Sequence, residues 1–476
     1  MNVLWTHEEV LDGLGARIAG APPRAVSGMS IDTRTIEPGD LFFALQGENR
    51  DGHAFVPMAF EKGAAAAVVT AENVTALGEL GTLYVVDDPL KAMERLGRAS
   101  RARMAGQAVA VTGSVGKTST KEALRHVLAR QGATHASVAS YNNHWGVPLT
   151  LARMPRGTEF GVFEIGMNHP FEILPLTGMV KPHVAIITTV EPVHLEHFRA
   201  VTGIADAKGE IFSGLLPGGT AIINRDNPHY ERMKAHAAAS QAGRIISFGE
   251  HEAADVRMLK VALTPDRSAV DARIHGQPVS FLVGAPGKHM AVNSLAVLAA
   301  AQVLGADLAI AALSLADLSA GSGRGQRTEL QAPGGAFTLL DESYNANPAS
   351  MRASMALLAQ LDVGLRGRRI AILGDMLELG PTGPELHRAL AETVLEHNLD
   401  LVFCAGPLMK NLWQALPAEK RGGYAPSAIE LQPAVLDLIQ SGDAVMIKGS
   451  LGSRMGPIVS AIKSRYPVNA SETIRA

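Results

Sequence analysis

Cysteine is almost absent: Cys404 is the only one in 476 residues, which excludes an intramolecular disulfide and fits a reducing compartment. It lies in the apolar run Leu401–Val402–Phe403–Cys404, where a thiol belongs to a buried strand rather than to a nucleophile. Aromatics make up only 5% while Gly and Ala are plentiful, a composition suited to tightly packed α/β layers and backbone-lined sites. The net charge of -3 excludes a sequence-independent nucleic-acid binder, which needs a dense field of Lys and Arg. Any anionic substrate must therefore be held by local basic groups and backbone amides. Met1 to Gly15 lacks a basic segment followed by an apolar run, so no signal peptide is expected. The nearest approach to a long hydrophobic run, Val292 to Leu318, is interrupted by Asn293, Gln302, Asp307 and Asp317, and Gly305 marks a turn between two helices. The expectation is a cytoplasmic protein with no membrane segment.

A chain of this length is expected to form about three domains, each with its own core. Block one, residues 1–105, has buried-strand runs at Leu41–Ala44, Ala66–Val69 and Leu83–Val86. Block two, 106–325, opens with the strand Ala108–Thr112, a glycine loop and a helix from Lys117 to about Gln131, with further strands near Phe160–Ile165 and Val184–Thr189. Block three, 326–476, repeats the rhythm with strands at Phe337–Leu340, Arg369–Leu373, Leu401–Cys404 and Ala444–Ile447. Strands separated by helices imply βαβ units and mainly parallel sheets. Three α/β domains in series is the predicted architecture.

Thr112–Gly113–Ser114–Val115–Gly116–Lys117–Thr118–Ser119 sits between a buried strand and a helix. Small residues let backbone N–H groups close around phosphate oxygens, and the helix N-terminus adds a favourable dipole. Lys117 has the reach for the β/γ oxygens and the Thr118 hydroxyl can ligate Mg²⁺. The general pattern asks for Gly at position 111, where Val111 stands. The loop specifies a nucleotide but no reaction, since kinases, switches, motors and ligases all use one.

Three further features can handle magnesium. Glu164 ends the apolar strand Phe163–Glu164–Ile165–Gly166, where an isolated charge is costly unless paired or bound to a cation. His194 lies in the loop beyond Thr188–Thr189, at a strand's carboxyl end, where open α/β sheets bind ligands. A helix-capping glutamate and a satisfied loop histidine are the bland alternatives. Lys208, in Ala207–Lys208–Gly209–Glu210–Ile211–Phe212, reads by itself as a solvated lysine on a helix.

Together the phosphate loop, Glu164, His194 and Lys208 resemble the Mur ligases, which build the peptide of bacterial peptidoglycan. Tyr141–Asn142–Asn143–His144–Trp145–Gly146–Val147–Pro148, Gly203 to Phe212, Asp341 to Pro348 and Leu373 to Gly380 extend the resemblance along essentially the whole chain, as do Ser30–Ile31–Asp32–Thr33–Arg34 and Asp51–Gly52–His53. These segments narrow it to the activity that joins D-alanyl-D-alanine to UDP-N-acetylmuramoyl-tripeptide through an acyl phosphate. The Asp-Asn-Pro-Arg signature of the relative that adds meso-diaminopimelate is missing from block three. The resemblance implies a uridine-nucleotide domain, a central ATPase domain and a last, Rossmann-like domain that binds D-alanyl-D-alanine and closes over ATP. It implies that Gly113, Ser114, Val115, Gly116, Lys117, Thr118 and Ser119 cradle ATP, with Lys117 steadying the transferring phosphoryl group. Asn293 would read adenine, Arg324 would sit between the central and last domains, and Glu342 and Tyr344 would reach ATP from the last. Two Mg²⁺ sites are implied, one on Thr118 and Glu164, the other on His194 and a carbamylated Lys208. Ser30, Thr33 and Arg34 are expected at the uridine end and Asn142 and Asn143 on the peptide, unless the asparagines cap a helix or close a turn. His144–Trp145 and Glu342 depart from the residues the family more often carries there. A monomer is expected, without nucleic-acid or membrane partners. The rivals are a sister ligase adding a single amino acid and a nucleotide-hydrolysing binding protein, and the identity of the third stem residue stays open.

Overall fold

The computed structural model describes residues 3–468 apart from Glu48, Ala139, His194, Arg199 and Ser322. Apolar runs near the amino terminus form a five-stranded sheet from β1 (Arg17–Ala19), β2 (Gly28–Ser30), β3 (Asp40–Phe43), β4 (Ala66–Thr70) and β5 (Leu83–Val86). The strand order is β1-β5-β4-β3-β2, parallel except where β1 runs against β5. Its central strands are buried on both faces, which explains their unbroken apolar sequence. Helix α1 (Pro89–Arg103) starts on Asp88, whose carboxylate accepts the N–H groups of Leu90 and Lys91, and leads into the second sheet.

That sheet begins with β6 (Gln107–Thr112), followed by α2 (Lys117–Ala129), β7 (Thr134–Ala136), α3 (Gly146–Ala152) and β8 (Phe160–Glu164). It continues through α4 (Ile173–Val180), β9 (Val184–Ile187), α5 (Val201–Gly209), β10 (Thr220–Asn224), α6 (Tyr230–Ala238) and β11 (Arg244–Gly249). A meander of β12 (Val256–Leu263), β13 (Ser268–Ile274) and β14 (Gln277–Val283) then precedes α7 (Lys288–Val303) and α8 (Leu308–Ser314). The nine strands lie in the order β14-β13-β12-β11-β10-β9-β6-β8-β7. Pairing is parallel from β7 to β12 and antiparallel in the meander. The predicted parallel sheet is thus present, with an antiparallel edge that its sequence signals only by strict alternation of buried and exposed residues along Ser268–Ile274. Gly305, at φ +82°, makes the expected turn between α7 and α8.

The third sheet contains β15 (Gln326–Ala332), β16 (Gly335–Glu342), β17 (Arg369–Gly374), β18 (Leu401–Ala405), β19 (Arg421–Ala425) and β20 (Ala444–Lys448). Its order is β15-β16-β20-β17-β18-β19, parallel except for the β15–β16 hairpin. Cys404 is fully buried in β18 and burial pushes its thiol far above the ordinary range, so it is a packing residue. Helix α9 (Pro348–Gln360) follows β16 and opens with a reciprocal cap between Asn347 and Ser350. The three sheets are not sealed modules. Leu149 and Ala152 of α3 pack into the core beneath the first sheet, and Trp145 packs against it. Among the described residues, no helix is long and apolar enough to cross a membrane.

Candidate active site

The phosphate loop is shaped by its neighbours as well as by its glycines. Ser114 N–H donates to Thr189 O at 2.8 Å, Ser114 Oγ to Glu191 O at 3.0 Å and Thr188 Oγ1 to Val115 O at 2.6 Å. The loop is therefore fastened to the segment leaving β9. Gly116 has φ +83°, and a Cβ there would lie 2.5 Å from Asn293 Nδ2. Only glycine satisfies both conditions. Lys117 opens α2 and its Nζ donates to Gly113 O at 2.6 Å.

Glu164 ends β8 and is 1% exposed. Asn142 Nδ2 donates to its Oε1 at 2.6 Å, whereas Oε2 is buried with no hydrogen-bond partner. A buried carboxylate oxygen left open in this way is costly unless a cation fills the space. Thr118, also buried, shares the cavity. Among the described residues no group of three His, Cys, Asp or Glu side chains converges on a metal position. Magnesium fits such a setting, because it usually takes one or two protein oxygens and completes its shell with phosphates and water.

These groups line a cavity of about 680 Å³ between the second and third sheets. It contains Ser114, Val115, Gly116, Lys117, Thr118, Ser119, Asn142, Glu164 and Asn293 from the central part, then Arg324, then Glu342 and Tyr344 from the last. Arg324 stacks over the Tyr344 ring at 4.1 Å and donates to Ser140 Oγ at 2.9 Å, and Ser140 Oγ lies 3.4 Å from Thr118 Oγ1. A polar path thus joins the phosphate loop to the last domain. Glu342 pairs with the buried Lys448 at 3.2 Å, and Lys448 also donates to Asn345 O. Lys448 ends an apolar strand just as Glu164 does; that signal was available in the sequence and missed. Ser140, Asn345 and Asn347 carry no such signal and are cavity residues only through tertiary packing.

Several expectations change. Lys208 is no solvated lysine: it is 2% exposed near the end of α5. Burial lowers its pKa well below the ordinary value, and the positive charge of Lys117 lowers it further. Lys117 is itself pulled down by burial, opposed by Glu164 and assisted by Arg324. Asn142 holds Glu164 and also lines the cavity. Asn143 Oδ1 accepts from Trp145 and Gly146 N–H at the start of α3, a cap. Ser30 is fully buried and its hydroxyl is bound to Asp32 O, holding a turn. Thr33 is buried and its carbonyl accepts Lys62 Nζ, while the exposed Arg34 forms a bidentate pair with Asp32. His194 lies outside the described residues.

The chain matches the Mur ligase middle domain over residues 111–301, the Mur ligase glutamate ligase domain over 323–451 and the Mur ligase family catalytic domain over 25–102. It is 31% identical to the UDP-N-acetylmuramoyl-tripeptide–D-alanyl-D-alanine ligase of Rickettsia prowazekii, covering 96% of this chain and 99% of that protein. The ligase of the same name from Escherichia coli is 32% identical, with 96% and 98% covered. Among solved structures, MurF from Acinetobacter baumannii superposes with a TM-score of 0.83 at 28% identity over 97% of this chain and 99% of its own. MurF from Thermotoga maritima, solved with ADP, shares the fold with a TM-score of 0.75 at 23% identity, covering 92% and 97%.

Proposed function

The chain belongs to the Mur ligase family, and from that premise we propose that it joins D-alanyl-D-alanine to UDP-N-acetylmuramoyl-tripeptide, converting ATP to ADP and phosphate. This is the name its full-length relatives carry. The observation that supports it best is the shared cavity, where a phosphate loop and the open oxygen of Glu164 face Arg324, Glu342 and Tyr344. One chain supplies both walls, so a monomer suffices. Its consumption of ATP and of a UDP-linked peptide supports a cytoplasmic reaction.

A carboxylate is a poor electrophile because its leaving group would be oxide. Transfer of the γ-phosphoryl group to the peptide carboxylate replaces that leaving group with phosphate. Two anions must meet for this step, and Lys117 supplies a fixed positive charge at the loop where they do so. Glu164 and Thr118 would hold magnesium, which when bound offsets the phosphate charge. The amine of D-alanyl-D-alanine then forms a bond to the acyl carbon, phosphate leaves, and the amine's proton passes to solvent. The last domain, tied through Arg324 to Ser140, keeps water from the acyl phosphate. Asn293 would lie by the nucleotide base, and Thr33 and Arg34 would meet the uridine end.

Lys208 suits a second role. Its lowered pKa favours the neutral amine, the form that adds CO₂: nitrogen bonds to carbon, one proton leaves to solvent, and the neutral amine becomes an anionic carbamate with carboxylate-like oxygens. A carbamylated Lys208 would hold a second magnesium together with His194.

The test is ADP release with UDP-N-acetylmuramoyl-tripeptide, with and without D-alanyl-D-alanine, beside a panel of single amino acids. Turnover should require the dipeptide, and turnover with single amino acids would assign a sister reaction. Glu164→Gln should lower the rate at least a hundredfold, above the ~10- to 100-fold cost typical of groups one shell further out.

A further inference from the structure

Lys208 stands between two carboxylates, Asp206 and Glu210, that no step above uses. On α5 the buried residues Ile204, Ala205 and Ala207 join Lys208 on the inward side, and Asp206, two residues before Lys208, lies on the opposite side of the helix. Its carboxylate is gripped by α6. Arg232 donates from Nε to Oδ1 at 2.6 Å and from Nη2 to Oδ2 at 2.7 Å, and His236 Nε2 lies 2.9 Å from Oδ1. The His236 ring also closes over Gly209, where an added Cβ would lie 2.6 Å from its Cγ. Downstream of Lys208, Glu210 Oε1 accepts the N–H of Phe171 at 2.8 Å. Phe171 has φ +68° with its ring exposed, and it stands in the turn between β8, which ends in Glu164, and α4.

An exposed ion pair by itself stabilises little. Here a bidentate pair, a third partner and a ring packed on a glycine all act on one turn of helix. We propose that Asp206 and Glu210 are positioning residues that fasten the Lys208 turn, Asp206 to α6 and Glu210 to the segment leaving Glu164, so that the Lys208 amine stays buried. Asp206 sets the rotation of α5, and Glu210 links the turn that carries Lys208 to the strand that carries Glu164. Neither carboxylate is among the residues lining the cavity. The importance of a buried Lys208 rests on the reading given above, but the fastening can be measured without it.

In full-length protein, in mildly alkaline buffer purged of CO₂, acetic anhydride labelling read by peptide mass spectrometry reports access to each lysine. Asp206→Ala and Glu210→Ala should each raise labelling of Lys208 about tenfold, which corresponds to easing local opening of this turn by about 1.4 kcal/mol. Labelling of the buried Lys121 and Lys448 should not change. Glu210→Gln keeps an acceptor for the Phe171 N–H and should label at the wild-type level. Unchanged Lys208 labelling in both alanine variants, or a rise shared by Lys121 and Lys448, would overturn the proposal. In parallel, ¹³C-bicarbonate NMR follows the carbamate. A wild-type carbamate resonance that both alanine variants lose supports fastening and carbamylation together. A wild-type protein without that resonance removes the carbamate alone, and the labelling result still decides the fastening.

Discussion

Buried polar groups left open, or held where their charged form is disfavoured, set the chemistry at the scale of single residues. Glu164 keeps one oxygen without a partner, and Lys208 sits where its charged form is disfavoured by burial and by Lys117. The second fact has a stability consequence. Between the lowered folded pKa of Lys208 and its ordinary 10.5, the unfolded chain holds a proton that the native state has shed, so stability rises with pH across that window. Lys208→Met removes the penalty. In CO₂-free buffer at neutral pH its thermal midpoint should exceed that of the wild type, by about 1 kcal/mol in stability. The gap should narrow as the pH is raised, and ligation should be lost. Gly116 makes the opposite case. Gly116→Ala meets a positive φ and the Asn293 amide at once, so nucleotide affinity measured by calorimetry should fall at least tenfold, while the overall fold loses about 1–3 kcal/mol. An unchanged affinity would mean that the loop rearranges freely.

Among the elements, strand ends and helix starts carry the site. Strands β6, β8, β16 and β20 deliver the phosphate loop, Glu164, Glu342 and Lys448 from their carboxyl ends, where parallel α/β sheets leave room for ligands. Helix α9 faces the cavity with Asn347 and Ser350, the two residues that cap it. Asn347→Ala should therefore do two things: lower stability in urea by about 1 kcal/mol and raise KM for ATP. A stability loss without a KM change would confine the residue to capping. Most strands buried on both faces read as unbroken apolar runs, so β3 to β6, β8, β9, β16 to β18 and β20 were legible, whereas the equally buried β10 was not. The meander β12–β14 was not, because each strand has one wet face and its weaker period-two signal lies among charged residues.

Across the whole molecule, the cavity exists only because two sheets meet across the hinge around Arg324. The Thr118–Ser140–Arg324–Tyr344 path crosses that junction. Arg324→Ala should leave each sheet intact, with an unchanged circular dichroism spectrum. It should loosen closure, seen in solution scattering with nucleotide, and lower kcat about tenfold or more, as positioning losses commonly do. A variant that closes and turns over normally would show the path to be incidental.

The sequence by itself determined the three α/β units, the phosphate loop and the strand-end carboxylate, because each is written in local periodicity or in neighbours along the chain. Only the tertiary structure decided that Lys208 is buried, that Asn142 serves Glu164, that Asn143 and Ser30 hold local turns, and that Lys448 and Ser140 join the cavity. Burial and hydrogen-bond partnership are properties of residues far apart in sequence. A lysine or asparagine on a helix or loop has the same letter whether water or a carboxylate faces it, and only packing chooses between them.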